Sequence, residues 1–193
     1  MQNGRTRAIT TRYNGYAFRS RLEARWAKFF DHLGVKWDYE PEGFELGNGL
    51  RYLPDFWLPD WGMWVEVKPS AIDAVTREKA IRLLQHTGQP IYCTEGMPDR
   101  NGVLFYQDGF GETAEIPAYA YFQKSSFSPN WRVILGFGEV HAEHRCPNFA
   151  LHSAPFKQEV ADKGVTLRGG PFQDALFAAR SARFEFGEKG GAA

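Results

Sequence analysis

The chain has 193 residues, no net formal charge and an aromatic content of 16%. That length suits one domain with an elaboration and a sizeable core, while zero net charge excludes a partner bound through overall charge alone. No apolar run reaches membrane-spanning length, and two widely spaced cysteines, Cys93 and Cys146, favour a reducing compartment. We therefore expect a cytoplasmic protein that does not bind membranes.

The N-terminal segment concentrates basic residues. Between residues 1 and 28, seven basic side chains stand against a single acidic one. Residues 1–12 are predicted to form a basic flexible arm. Three arginines follow that we expect to be fixed on a helix and to bind nucleic-acid phosphates: Arg19, Arg21 and Arg25. A solvated helix face is the alternative interpretation.

A first helix is predicted from about Ala17 to Leu33, and Gly34 supplies its C-terminal stop. Its apolar residues recur at helical spacing, at Phe18, Leu22, Trp26, Phe29, Phe30 and Leu33. Glu23 falls at the border of that face. Such a glutamate either pairs with a neighbouring base on the surface or reaches a polar site beside the core.

One strand, interrupted by a proline, and a turn follow the helix. Val35–Glu40 is predicted as a strand, broken by Pro41 and resumed at Phe44–Leu46, before a Gly47-Asn48-Gly49 turn. Glu40 or Glu42 could join an acidic cluster, although a turn glutamate is more often solvated.

The stretch from Tyr52 to Lys68 reads as two strands joined by a tight Pro-Asp-Trp-Gly turn. Because strand side chains alternate, Glu66 and Lys68 share one face, and the hairpin brings Asp55 beside them. Two adjacent carboxylates repel unless a cation lies between them. The pattern predicts an oxygen-lined divalent-metal site; an amphipathic hairpin with a surface ion pair is the alternative.

A second helix is predicted next, with Ser70 as its N-cap and Asp73 as capping partner, ending at Gly88. Pro90–Thr94 then reads as a short buried strand. The succession from the first helix onward is helix, three strands, helix, strand.

Pro54-Asp55 followed by Glu66-Val67-Lys68 resembles the signature of the PD-(D/E)xK nuclease superfamily, especially its phage-type and transposition-type endonucleases. The resemblance covers residues 13–95. It implies an α/β fold with a restriction-endonuclease-like αβββαβ core, in which a mixed central sheet is flanked by helices. The Glu on the first helix, the Asp on the second strand and the Glu-x-Lys on the third fall where that fold needs them.

The resemblance further implies hydrolysis of DNA phosphodiester bonds, leaving a 5′-phosphate and a 3′-hydroxyl. Asp55, Glu66, the carbonyl of Val67 and Glu23 would bind Mg²⁺ or Mn²⁺, and Lys68 would orient or deprotonate the attacking water. The expected partner is DNA in a bacterial or phage-infected cell. A homodimer or a larger phage or recombination assembly stays open. The alternatives are a non-catalytic DNA-binding subunit and an aromatic-rich binding or structural module.

Residues 96–186 are predicted to be a C-terminal α+β elaboration packed on the core, and residues 187–193 a disordered tail. Strands are expected at Val103–Gln107 and Trp131–Phe137, whereas Ala118–Phe122 fits a strand or a helical turn. Pro171 is expected to begin a last helix.

Four residues of the elaboration lie close enough in sequence to suggest Zn²⁺: His141, His144, Cys146 and His152. Their spacing matches no standard zinc finger. A His-rich loop is therefore the preferred interpretation, and zinc is the alternative.

Overall fold

The computed structural model describes residues 9–108, 110–124, 131–137 and 170–184. These contain three helices, α1 (Arg21–Leu33), α2 (Ala74–Thr87) and α3 (Gly170–Ser181). Their strands are β1 (Thr11–Tyr13), β2 (Tyr16–Phe18), β3 (Asp38–Tyr39), β4 (Phe44–Glu45), β5 (Arg51–Tyr52), β6 (Phe56–Leu58), β7 (Met63–Lys68), β8 (Ile91–Glu95), β9 (Asn101–Gln107), β10 (Thr113–Lys124) and β11 (Trp131–Phe137). No described helix is long and apolar enough to cross a membrane.

Seven strands form one mixed sheet in the order β11-β10-β9-β8-β7-β6-β3. β7 and β8 run parallel, and the other neighbouring pairs are antiparallel. A parallel pair needs a crossover connection, which α2 provides. The predicted α/β class and the mixed sheet are therefore confirmed.

The first helix begins later than predicted, at Arg21 instead of Ala17. Tyr13 and Tyr16 pair across a two-residue Asn14-Gly15 turn, in which both residues have positive φ. Asn-Gly is a strong signal for such a hairpin. β1 therefore includes the end of the predicted arm, and β2 includes the first residues of the predicted helix. Arg19 consequently precedes α1 rather than lying on it.

The β6–β7 hairpin has the predicted alternation. Phe56 pairs with Val65 and Trp57 with Trp64. Met63, Val65 and Val67 belong to the core cluster that includes α1, whereas Trp64 belongs to the cluster that includes α2. β7 is thus buried on both faces, as a central strand should be.

The strand predicted at Val35–Glu40 is reduced to Asp38–Tyr39, which pairs with β6 at the sheet edge. Glu40 leaves the strand conformation, with φ 45°. β4 and β5 form a separate two-stranded pair, closed by the predicted Gly47–Gly49 turn, where the Leu50 N–H donates to the Gly47 carbonyl.

The second helix has Asp73, not Ser70, as its N-cap. The Asp73 side chain accepts a hydrogen bond from the Thr76 N–H at 2.8 Å. It thereby satisfies one of the backbone N–H groups that have no partner within the first turn of the helix. The helix ends at Gly88, as predicted.

The C-terminal region continues the same sheet. β9 pairs with β8, and Ala118–Phe122 lies within strand β10, so the boundary predicted at residue 96 falls between paired strands. Gly102 permits this pairing, because an added Cβ would lie 2.2 Å from the Cys93 carbonyl oxygen. α3 packs on α1 through Ala175, Leu176 and Ala179. Residues 187–193 lie outside the described residues.

Candidate active site

A cavity of about 1060 Å³ opens between the start of α1, the β4–β5 pair and the β6–β7 hairpin. All but one of the metal, catalytic and DNA-binding residues predicted in the core line it: Arg19, Arg21, Glu23, Asp55, Glu66, Val67 and Lys68. The exception is Arg25, which is not part of the cavity lining. Residues 45 apart in sequence, from Glu23 to Lys68, thereby share one concave surface.

Asp55 lies immediately before β6 and is 5% exposed. Its Oδ2 accepts a hydrogen bond from the Val67 N–H at 2.7 Å, which ties the carboxylate to β7. Burial, followed by the nearby carboxylates of Glu66 and Glu23, raises the pKa of Asp55 well above its usual range. A negative charge at this position is costly and favours a cationic neighbour.

Glu66 is buried on the same side of the hairpin, at 4% exposure. Its Oε1 accepts a hydrogen bond from Lys68 Nζ. Its Oε2 is buried without a hydrogen-bond partner among the described residues. The buried Tyr52 hydroxyl lies near this carboxylate, and burial, followed by Glu66, raises the pKa of Tyr52 well above its usual range. An incompletely satisfied buried carboxylate oxygen is expensive, and it can accept a ligand.

Lys68 stands at the end of β7 with its side chain partly exposed. Burial alone would lower the pKa of Lys68, but the adjoining Glu66 carboxylate raises it above its ordinary value. The ammonium group is therefore charged at neutral pH, and it balances one of the two buried carboxylates.

Glu23 lies in the first turn of α1, where its carboxylate is fully hydrogen-bonded. Oε1 accepts from the Ser20 hydroxyl at 2.6 Å, and Oε2 accepts from the Tyr39 hydroxyl at 2.6 Å and the Arg19 N–H at 3.0 Å. The Glu23 N–H in turn donates to Ser20 Oγ. This is a form of the capping box, which stabilises the helix start.

Arg19 is the residue before the N-cap of α1, and its side chain extends towards Glu40 and Asp55. Its guanidinium pairs with Glu40, and its Nη2 lies 3.6 Å from Asp55 Oδ1. The predicted participation of Glu40 in an acidic cluster therefore takes the form of an ion pair with an arginine.

Comparisons of the chain with protein-family models, with curated proteins and with solved structures gave no match. The resemblance stated above consequently rests on the residues themselves and on where the fold places them.

The described residues contain no preformed group of three His, Cys, Asp or Glu side chains that could hold a metal ion. Two oxygens nevertheless suit a hard divalent cation: Asp55 Oδ1, which is not used by the Val67 N–H, and the open Glu66 Oε2. A strand residue directs its N–H and carbonyl to the same neighbour, so the Val67 carbonyl faces the Asp55 side. The donor set fits Mg²⁺ or Mn²⁺ if Arg19 yields its place beside Asp55.

Two features of the site were not predicted. The hydroxyl of Tyr39 joins Glu23 to the edge strand, and burial, followed by that hydrogen bond, raises the pKa of Tyr39. Ser20 followed three residues later by Glu23 is the sequence signature of a capping box and could have located the helix start. The Tyr39 contact depends on the path of the chain after α1, for which no local signal exists.

The proposed zinc residues cannot be placed with the cavity. His141, His144, Cys146 and His152 lie outside the described residues. Cys93, the other cysteine, is fully buried, and burial raises the pKa of its thiol well above the usual range. A buried neutral thiol of this kind is a packing residue.

Proposed function

We propose that this protein is a divalent-metal-dependent nuclease that hydrolyses DNA phosphodiester bonds, of the PD-(D/E)xK type. The observation that carries the proposal is the juxtaposition of Asp55, Glu66 and Lys68 on one wall of a large cavity, with Glu66 Oε2 left open. A protein that used these carboxylates only as surface groups would have no reason to bury them together.

Asp55, Glu66 and the Val67 carbonyl would hold Mg²⁺ or Mn²⁺. A divalent cation bound there would supply Lewis-acid stabilisation of the charge that develops on the phosphate oxygens. The raised pKa of Asp55 supports this assignment, because the same field that disfavours its negative charge favours a cation beside it.

Lys68 would hold the attacking water. Its Nζ now contacts Glu66 Oε1, and a cation shared with Glu66 would leave the ammonium group free to bind another oxygen at the same place. The water oxygen attacks phosphorus in line with the departing 3′-oxygen, and the P–O3′ bond breaks. The water gives up one proton to the solvent as its oxygen bonds to phosphorus, and the 3′-oxygen takes up one proton, so the products are a 5′-phosphate and a 3′-hydroxyl.

Arg19 and Arg21, which both line the cavity, would contact the DNA backbone. Arginine binds phosphate through two parallel N–H donors, and such contacts position a strand without reading its sequence.

The first prediction concerns cleavage. Wild-type protein should cut plasmid, branched or single-stranded DNA with Mg²⁺ or Mn²⁺ and not with EDTA. Glu66→Gln and Asp55→Asn keep side-chain shape but remove a ligand charge, and Lys68→Met keeps the aliphatic stem. Each should lower the cleavage rate by about 10²–10⁴-fold, the range for loss of a catalytic proton-transfer group or its equivalent.

Asp60→Asn is the matched control. Asp60 lies on the turn of the same hairpin, is about half exposed and pairs with Lys36 in solvent. This variant should cut at the wild-type rate. Wild-type activity in the Asp55 and Glu66 variants would reject the site, and DNA binding without metal-dependent cleavage would favour a non-catalytic DNA-binding subunit.

A further inference from the structure

Arg19 connects two acidic residues from different parts of the fold. Glu40 follows the edge strand β3, and Asp55 precedes β6. The guanidinium lies 3.6 Å from Asp55 Oδ1, yet the Arg19 side chain is 57% exposed. One cation thus serves a buried carboxylate from a position that remains open to the cavity.

The charged groups around the cavity determine whether a resident cation would compete with a bound metal ion. The cavity lining contains four carboxylates, those of Glu23, Glu45, Asp55 and Glu66, and five cationic side chains, those of Arg19, Arg21, Arg51, Lys68 and Lys79. Two of these cations lie beside the buried pair of Asp55 and Glu66: Arg19 faces Asp55 and Lys68 contacts Glu66. A buried carboxylate pair attracts a small cation, and a cation that already lies beside it competes for the same place.

We infer that Arg19 is a tethered counter-ion that occupies the place of the metal beside Asp55 and, when a divalent cation displaces it, turns to a phosphate of bound DNA. The inference rests on the proposed function, since it supplies the route by which the metal and the DNA enter the same site.

Arg19 is better suited to exchange partners than Lys68. Its 3.6 Å distance from Asp55 exceeds that of a charge-assisted hydrogen bond, and its side chain is the more exposed of the two. The direct partner of Arg19 is Glu40 and not Asp55, whereas Lys68 contacts the buried Glu66 directly.

The backbone of Arg19 does not need to move. Its N–H donates to both Glu23 Oε2 and the Tyr39 hydroxyl, each at 3.0 Å, so the Cα position is held whichever acidic group the guanidinium pairs with. The planar guanidinium then offers a phosphate the two parallel donors that an ammonium group cannot offer.

The first arm of the test measures metal binding without DNA. Mn²⁺ would be titrated into the free protein by calorimetry, for wild type, Arg19→Ala and Arg19→Lys. Removing the competing charge should tighten Mn²⁺ binding about 2- to 5-fold, the range for a largely exposed ion pair. Arg19→Lys keeps the charge and should bind Mn²⁺ nearly as wild type does.

Arg51→Ala is the matched control for this arm. Arg51 lines the same cavity, and no ion pair joins it to Asp55 or Glu40 among the described residues. Its removal tests whether any nearby positive charge has the same effect. An equal gain in Mn²⁺ affinity in Arg51→Ala and Arg19→Ala would overturn direct competition.

The second arm measures DNA affinity with Ca²⁺, under conditions in which the DNA stays intact. Arg19→Ala should bind more weakly, with a salt dependence shallower by about one unit, because one phosphate contact is lost. Arg19→Lys should keep the slope but recover only part of the affinity. Wild-type Mn²⁺ affinity or wild-type DNA binding in Arg19→Ala overturns the inference.

The two proposals fail separately. A wild-type protein that cuts no DNA, with Arg19→Ala still binding Mn²⁺ more tightly, would reject the nuclease and support competition at Asp55. A cutting protein whose Arg19→Ala variant matches wild type in both arms would keep the nuclease and reject the exchange.

Discussion

The start of α1 and the β6–β7 hairpin each bury a glutamate in the same cavity, but the two carboxylates are treated differently. Glu23 is surrounded by donors from Ser20, Arg19 and Tyr39, and both of its oxygens are engaged. Glu66 receives one hydrogen bond, from Lys68 Nζ, while its Oε2 has no partner within hydrogen-bond distance among the described residues and has the buried Tyr52 hydroxyl nearby. Both groups are less than a tenth exposed, so the two carboxylates differ in how many of their hydrogen bonds are made and not in burial.

This comparison separates structural from functional burial. A buried carboxylate whose hydrogen bonds are complete stabilises the local fold and gains little from a further ligand. A buried carboxylate with an incompletely satisfied oxygen gains more from a ligand. The hairpin carboxylates, and not Glu23, are therefore the groups that a bound cation would stabilise most.

The largest effect expected from this difference is on the pH dependence of stability, and it concerns Asp55. Its pKa is raised in the folded state, so the folded protein binds more protons than the unfolded chain once the pH exceeds the unfolded value of about 4. In EDTA, the contribution of Asp55 should lower the free energy of unfolding as pH rises from about 4 through the folded pKa. Each unit of pKa difference corresponds to about 1.4 kcal/mol.

Asp55→Asn removes the charge and keeps an acceptor for the Val67 N–H. The stability of this variant relative to wild type, measured by urea unfolding, should increase with pH, and Mn²⁺ should narrow the gap by stabilising wild type alone. Asp55→Ala would add the cost of an unsatisfied Val67 N–H, about 1–3 kcal/mol. A wild-type minus Asp55→Asn difference that is constant from pH 4 to 9 would contradict the raised pKa.

The hairpin was the part of the site that sequence could predict, and the reason is periodicity. Alternation on β7 places Glu66 and Lys68 on one side whatever the rest of the chain does, and a turn with Pro59 and Gly62 fixes the partner strand. The neighbouring contacts depend on longer paths. Arg19 lies near Asp55 because the Asn14-Gly15 hairpin shifts the start of α1 to Arg21, which leaves Arg19 before the helix. Tyr39 contacts Glu23 from the short edge strand β3.

The same reasoning explains the errors in the fold. Ser70 and Asp73 are both acceptable N-caps, and local sequence does not decide between them. β9–β11 read as an appendage because their pairing with β8 is a long-range contact, permitted by the missing side chain of Gly102.

A smaller effect is expected at Glu23, where the sequence predicted a metal ligand and the hydrogen bonds favour a structural role. Glu23→Gln removes the charge from three hydrogen bonds and replaces one acceptor oxygen with a donor, so these bonds are weakened and one of them must reverse its direction. Unfolding in EDTA should cost about 1–3 kcal/mol less than in wild type. The Mg²⁺ concentration for half-maximal cleavage should change little by comparison.

The opposite pattern would assign Glu23 to the metal. Unchanged stability in EDTA, together with loss of cleavage that excess Mg²⁺ restores, is the behaviour of a ligand whose charge has been removed. Ser20→Ala provides a second measure of the same capping box, because it removes both side-chain bonds between Ser20 and Glu23. It should lower stability by about 1 kcal/mol without changing the metal requirement.

The smallest effect is expected at Tyr39, whose hydroxyl supplies one of the three donors that saturate Glu23. Tyr39→Phe should cost about 1 kcal/mol of stability at neutral pH, the worth of a hydrogen bond donated by a hydroxyl that is only half-buried. Tyr16→Phe is the matched control, since Tyr16 packs by ring contact beside Tyr39 and is 40% exposed. Its stability should equal that of wild type.

The pH profile distinguishes a lost hydrogen bond from lost packing. The pKa of Tyr39 is raised in the folded state, so its contribution is fully present below the unfolded value of about 10 and declines as pH rises through the folded value. The stability gap between wild type and Tyr39→Phe should therefore be constant from pH 7 to 9 and shrink above pH ~10. A gap that persists unchanged at high pH would mean that the hydroxyl fills space instead of holding Glu23, and that the saturation of this carboxylate rests on Ser20 and the Arg19 N–H alone.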